Sequence, residues 1–148
     1  MLSALKSRVA RIHRLLLAAL CSSAVMGART ADLKVIANPS VKQSELSGEE
    51  IRGVFLVTKT SLSDGSRVEP VLLKGGPVHQ TFVTQYLGKS DFALETYYRS
   101  LVFTGKGLMP IALPSDAAVV AYVARTKGAV GYVSAAAIIS GVKILDIK

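Results

Sequence analysis

Cysteine occurs once in these 148 residues, histidine twice and tryptophan not at all. Each scarcity closes off chemistry. Cys21 lies in an N-terminal segment that reads as removed on export, so the remaining chain carries no thiol. It can form no disulfide, no thiolate metal site and no cysteine nucleophile. The same removal leaves His79 as the one histidine. The sequence holds no His/Cys cluster, no H-E-x-x-H, no G-x-S-x-G and no G-x-x-x-x-G-K-[ST] loop. Asp32, Asp64 and Asp146 could orient a histidine in a hydrolase triad, but no spacing brings any of them to His79. A surface histidine on a helix's first turn is the simpler reading, structural zinc is weaker still, and no cofactor is implied.

Acidic residues are also missing from the start of the chain. Lys6, Arg8, Arg11 and Arg14 form a basic region, followed by Leu15 to Leu20 and small apolar residues through Met26. That run is short of the ~20 apolar residues of a membrane span and matches a signal peptide. We read residues 1–27 as the signal peptide and 28–148 as a single domain, with no stable membrane span once the signal is cleaved. Cleavage after Ala24, Gly27 or Ala28 fits, and Val25 and Gly27 at the −3 and −1 places favour the second. An amphipathic N-terminal helix or an uncleaved anchor is the alternative. Leu20 before Cys21 makes a poor lipoprotein signal. The expected location is periplasmic or secreted. Four of the 18 basic residues leave with the signal, so 14 face 10 acidic ones, a formal +4. This modest excess agrees with an anionic ligand or surface. No basic stripe is interleaved with aromatics, which argues against nucleic acid.

What is present is a regular alternation of strand and helix signals. Asp32 to Ala37 reads as a strand ended by Asn38-Pro39-Ser40. Ser47 and Glu50 fit a capping box, with Leu46 and Ile51 as its hydrophobic staple and Ile51, Val54 and Phe55 as the buried face. Ser63-Asp64-Gly65-Ser66 is turn chemistry before a strand over 68–73, where Pro70 suggests an edge or a bulge. Val78, Phe82 and Tyr86 repeat on a helix that Gly88 ends. Ser90 or Asp91 caps another, carrying Phe92, Tyr98 and Leu101 towards the core. Residues 103–114 read as loop. Ser115 caps a helix over 116–125, Gly128 closes it, and Ala129 to Val133 is a strand whose Gly131 allows a close approach. Ala135 to Ile139 reads as a helical turn and 142–147 as a last strand. The class is α/β: one small domain, a mixed β-sheet flanked by helices, with one antiparallel strand expected.

Two glycine-rich, basic turns stand out. Lys74-Gly75-Gly76-Pro77 leads into a helix, where exposed amides and the dipole favour an anion, and His79 and Thr81 add donors. Thr104-Gly105-Lys106-Gly107 is a second flexible, basic loop. The plainer alternative is that these glycines only make turns and that Lys74 and Lys106 are solvated.

Three stretches resemble the periplasmic phosphate-binding proteins of ABC importers, especially their short single-domain relatives. They are Leu46 to Leu56 followed by Ser63-Asp-Gly-Ser66, Lys74 to Leu87, and Thr126-Lys-Gly-Ala-Val-Gly-Tyr-Val133. The resemblance implies one lobe of a type II periplasmic binding protein. It also implies phosphate or a similar oxyanion as ligand, with Lys74 at the family's basic position; the candidate site is then Lys74, Gly75, Gly76, His79 and Thr81 of the first turn, with Thr104 and Lys106 of the second. An ABC permease or another envelope protein is the implied partner. Full-length members clamp phosphate between two lobes with serine and threonine hydroxyls, an aspartate, an arginine and helix N-terminal amides. Here Gly75-Gly76-Pro77-Val78-His79 replaces the family's serine-glycine-threonine turn, and Lys74 lacks an arginine's bidentate fork. Those departures keep a second reading open: a non-enzymatic envelope interaction module that retained the fold and lost the ligand.

Overall fold

The computed structural model describes residues 32–148, so the expected signal peptide over residues 1–27 lies outside the described residues. In chain order the elements are β1 (Leu33–Ala37), β2 (Glu45–Leu46), α1 (Gly48–Phe55), β3 (Glu69–Leu73) and α2 (Pro77–Phe82), which a π-helical turn continues over Val83–Leu87. Then follow α3 (Asp91–Phe103), β4 (Ile111–Leu113), α4 (Asp116–Arg125), β5 (Ala129–Ser134) and β6 (Lys143–Ile147). The strands form one sheet in the order β2-β6-β1-β5-β3-β4. β1 runs antiparallel to both neighbours, with Val35 opposite Tyr132 on β5 and Leu145 on β6. The β2–β6, β5–β3 and β3–β4 pairs are parallel. The sheet is thus mixed, with β1 its one antiparallel strand, as the sequence led us to expect. Among the described residues no helix is long and apolar enough to cross a membrane.

β5 shows why its neighbours pack as they do. Successive side chains of a strand point to opposite faces. On one face a Cβ at Gly131 would stand 2.9 Å from Val119 of α4, so that helix lies against bare backbone. On the other, Tyr132 stacks on Phe82 of α2 at 3.8 Å between ring centres, and Phe55 of α1 packs beside both. Helices therefore cover both faces, and Ala129 to Val133 is an unbroken buried run rather than an alternating one. Asn38 ties the sheet to the same helix. Its buried amide donates to the carbonyls of Val123 and Ala124 at the end of α4, at 2.8 and 3.0 Å.

The capping box at the start of α1 is complete. Glu50 N–H donates to Ser47 Oγ at 3.1 Å, and Ser47 N–H donates to Glu50 Oε2 at 3.0 Å. Ser63 also donates to this carboxylate, which pulls the turn at 62–66 onto the helix. The Ser63 bond first, then the Ser47 amide, hold the Glu50 pKa down to about 2 from the ordinary 4.5. A carboxylate with a depressed pKa stabilises the fold fully above its unfolded value and loses that contribution as pH falls through its folded one. Stability should therefore decline between pH 4.5 and about 2, and Glu50→Gln should flatten that limb in denaturant titrations. An unchanged limb in the variant would refute the assignment.

The structure corrects several expectations. β3 is an interior strand, although Pro70 suggested an edge or a bulge. Pro70 is tolerated because Glu69 N–H faces β5, donating to Gly128 O at 2.9 Å, so the proline nitrogen faces the other side, where β4 pairing starts only at Val71. Residues 103–114, read as loop, contain β4. Ala135 to Ile139 holds only a turn, closed by Ala137 N–H to Ser134 O at 3.0 Å. Phe92 is exposed, not in the core, because Leu94 and Tyr98 set the inward face of α3 and Phe92 lies ~160° around the helix from Leu94. Gly128 is left-handed, but Thr126 caps α4; the glycine is third in a turn closed by Ala129 N–H to Thr126 O.

Candidate functional site

β3, β4 and β5 run in one direction, so their C-terminal ends share one edge of the sheet, where open α/β sheets place ligands. The chain leaves β3 there through Lys74, whose N–H donates to Leu113 O at 2.8 Å and holds the exit against β4. Gly76 (φ 90°) makes the turn and Pro77 starts α2. Gln80 N–H, bonded to Gly76 O at 3.0 Å, makes the first intrahelical bond. Gly88 (φ 62°) ends the π turn, Ser90 caps α3 through Ala93 N–H at 3.2 Å, and Asp91 returns to the same edge. Between these segments lies an open cleft of about 440 Å³. Its one wall is the end of β3 with Lys74, Gly75 and His79; Asp91, Leu94, Glu95 and Tyr98 of α3 form another, and Met109, Pro110 and Ala112 close the rim. A second cleft of similar volume, between Val68 and Ile111, lies at the opposite ends of these strands and gathers no helix start.

His79 is buried rather than on the surface. Leu73 N–H reaches Tyr132 Oη at 3.3 Å, and Tyr132 Oη is 2.5 Å from His79 Nδ1. A hydroxyl that accepts from the amide gives its own proton to Nδ1, which leaves the imidazole proton on Nε2, an assignment made from the network. Nε2 stands 3.5 Å from Asp91 Oδ1. Burial lowers the His79 pKa, and the Asp91 charge opposes it more weakly, so the ring is neutral at pH 7. Burial drives the Tyr132 hydroxyl far up, the reverse of an activated nucleophile. Tyr98 is likewise raised by burial, and its hydroxyl donates to Phe55 O at 2.6 Å.

Of the residues singled out from sequence, Lys74, Gly75 and His79 line this cleft, and Gly76 sits at the turn behind it. Thr81 is half-buried further along α2. Thr104 caps the far end of α3, donating to Ser100 O at 2.7 Å, with Lys106 exposed beyond it. α3 has 13 residues, so that loop lies ~20 Å from Asp91. None of the three aspartates considered as partners of His79 is beside it; Asp64, for one, is held by Ser66 in its own turn. Asp91, Glu95 and Tyr132 were not singled out for the site.

No known protein-family model matches the sequence, and no curated protein does. Solved structures do. The chain is similar to an ABC-type phosphate transport receptor from Vibrio cholerae, with a TM-score of 0.59 at 15% identity, over 79% of this chain and 46% of that one. It is similar to a phosphate ABC transporter substrate-binding protein with bound phosphate from Clostridium perfringens, with a TM-score of 0.60 at 12% identity, over 79% and 45% of the two chains. The fold is that of part of a phosphate ABC transporter substrate-binding protein. PstS from Borrelia burgdorferi gives the same result, with a TM-score of 0.59 at 12% identity, over 80% of this chain and 47% of that one. In each case this chain spans less than half of the larger substrate-binding protein.

Proposed function

We propose that this chain is an exported, non-enzymatic binding domain for phosphate or a similar oxyanion, held at the cleft between the end of β3 and the start of α3. The fold shared with phosphate-binding proteins supports the reading, and the grouping of Lys74, Gly75 and His79 on one cleft carries it. Lys74 supplies a cation, and the Nε2–H of neutral His79 supplies a directed donor. Gly76 and the first turn of α2, with Thr81 behind, supply the surrounding dipoles. The Asp91 carboxylate only accepts hydrogen bonds, so it favours an oxyanion that still carries a proton and repels one that does not. Hydrogen phosphate is therefore preferred to sulfate. Thr104 and Lys106 form a separate basic loop at the far end of α3. The domain works in the periplasm or as a secreted protein, delivering its ligand to an ABC permease or another envelope protein. The open face lets water compete for each donor, so affinity is modest.

A second reading rests on the cleft's apolar wall. Leu72, Leu73, Leu94, Met109, Pro110 and Ala112 slightly outnumber its five polar side chains, which suits an envelope interaction module that kept the fold and lost the ligand.

Melting curves in phosphate, sulfate and chloride at matched ionic strength separate the two. Phosphate at about a hundred times its dissociation constant should stabilise the fold by roughly 2.7 kcal/mol, a shift of several degrees. Lys74→Ala should abolish that rise. Superimposable curves in all three salts would remove the oxyanion reading and leave the interaction module.

A further inference from the structure

The outer face of α3 carries two phenylalanines that the fold leaves in water. Phe92, in the first turn, is 79% exposed, and Phe103, the last residue, is 95% exposed. The helix faces inward through Leu94 and Tyr98, with Tyr97 and Leu101 half-buried beside them. At 100° per residue, Phe92, Thr96, Arg99 and Phe103 fall within ~60° of arc, opposite that inner face. Glu95 and Val102 border this strip, and all six residues are exposed. The strip is ~20 Å long. It is aromatic at each end, with Glu95 and Arg99 in the middle, ion-paired within the chain.

That order is complementary to itself. Two such helices laid antiparallel about a two-fold axis between positions 97 and 98 bring Phe92 of each against Phe103 of the other. The same axis sets Glu95 of each beside Arg99 of the other, so two internal ion pairs become a ring of four alternating charges. A parallel, in-register pair instead sets glutamate against glutamate. A two-fold contact requires a patch that matches its own copy, and this strip meets the requirement in both its apolar and its charged positions. We infer that α3 is the surface through which two copies of this chain associate, antiparallel, about that axis. A single helix face is small for a dimer contact, so the association is weak and reversible. Glu95 also borders the cleft, so the association is measured in chloride, without phosphate or sulfate to occupy it.

Sedimentation velocity on the purified protein, from about 1 µM to about 1 mM, tests the inference. A monomer–dimer equilibrium is expected. Phe103→Ser should raise the dissociation constant at least about tenfold, because an exposed aromatic anchor is lost. Its melting temperature as a monomer should stay unchanged. Glu95→Arg alone and Arg99→Glu alone should each weaken the dimer, and the double swap should restore it, since exchanging both signs recovers the match. Charge loss acting only within the helix would not produce that rescue. A protein monomeric over the whole range, a dimer indifferent to Phe103→Ser, or a double swap as weak as the single ones would overturn the inference.

Discussion

Replacing Gly128 with alanine should cost about 2–5 kcal/mol, combining a left-handed backbone with a collision against main chain. Gly128 has φ +78°, and an added Cβ would lie 2.4 Å from the carbonyl oxygen of Arg67. That oxygen belongs to a segment with little room to withdraw. Two residues on, Glu69 N–H is bonded to Gly128 O at 2.9 Å, while Gly128 N–H is held by Ser40 Oγ at 2.9 Å. The turn thus joins β1's exit, the start of β3 and the start of β5, and none can shift without breaking a bond to the others. Urea unfolding should show a much lower midpoint or no folded protein. Gly105→Ala is the matched control, because that glycine also has positive φ (67°) but nothing lies within 4 Å of its Cβ position. It should show the conformational penalty alone, ~1–2 kcal/mol. Equal losses at the two positions would refute the packing argument.

Tyr132→Phe removes one oxygen and orphans two buried groups. Leu73 N–H loses its acceptor and His79 Nδ1 loses its donor, in a region closed by Phe55 and Phe82. Leaving both unsatisfied should cost about 2–4 kcal/mol, although ring volume and stacking are kept. A second measurement separates this from general loosening. The folded His79 pKa lies below the ordinary 6.5, so the fold favours neutral imidazole. Its contribution is present above pH 6.5 and is lost as pH falls from 6.5 through the folded pKa. Burial is the larger cause and survives the substitution. This loss below pH 6.5 should therefore persist in Tyr132→Phe, at lower overall stability, and vanish in His79→Gln, which leaves the Glu50 limb below pH 4.5 in place. Wild-type stability in Tyr132→Phe would mean that the two groups find other partners.

Local chemistry was legible wherever a few adjacent residues decide the outcome. Ser47 with Glu50, and Ser115 before α4, announce helix starts because capping is settled within four residues. Gly131 announced a close approach, and Val119 makes it. β4 was hidden because three residues between Pro110 and Pro114 show no alternation; they are a strand only because β3 lies beside them. The rotation of α3 was missed for a similar reason. Phe92 looks like core material until Leu94 and Tyr98 are seen to take the inner face. At the site, Lys74, Gly75 and His79 were visible together as neighbours in sequence. Asp91 reaches His79 only because Gly88 turns the chain back, and Tyr132 lies 53 positions away on another strand. Neither distance is written in any spacing.

The place of β1 in the sheet has a consequence for how the chain comes into being. β1 is made first among the described strands, yet its two partners, β5 and β6, are made last. Leu33 finds Ser134, about a hundred positions downstream, and Ala37 finds both Val130 and Lys143. Such distant pairing makes folding slow, because long loops must close before the sheet gains anything. While the polypeptide emerges from the ribosome N-terminus first, the centre of its sheet is an unfilled slot. The sheet therefore cannot close around β1 until β5 and β6 have both been made, however early the helices between them form.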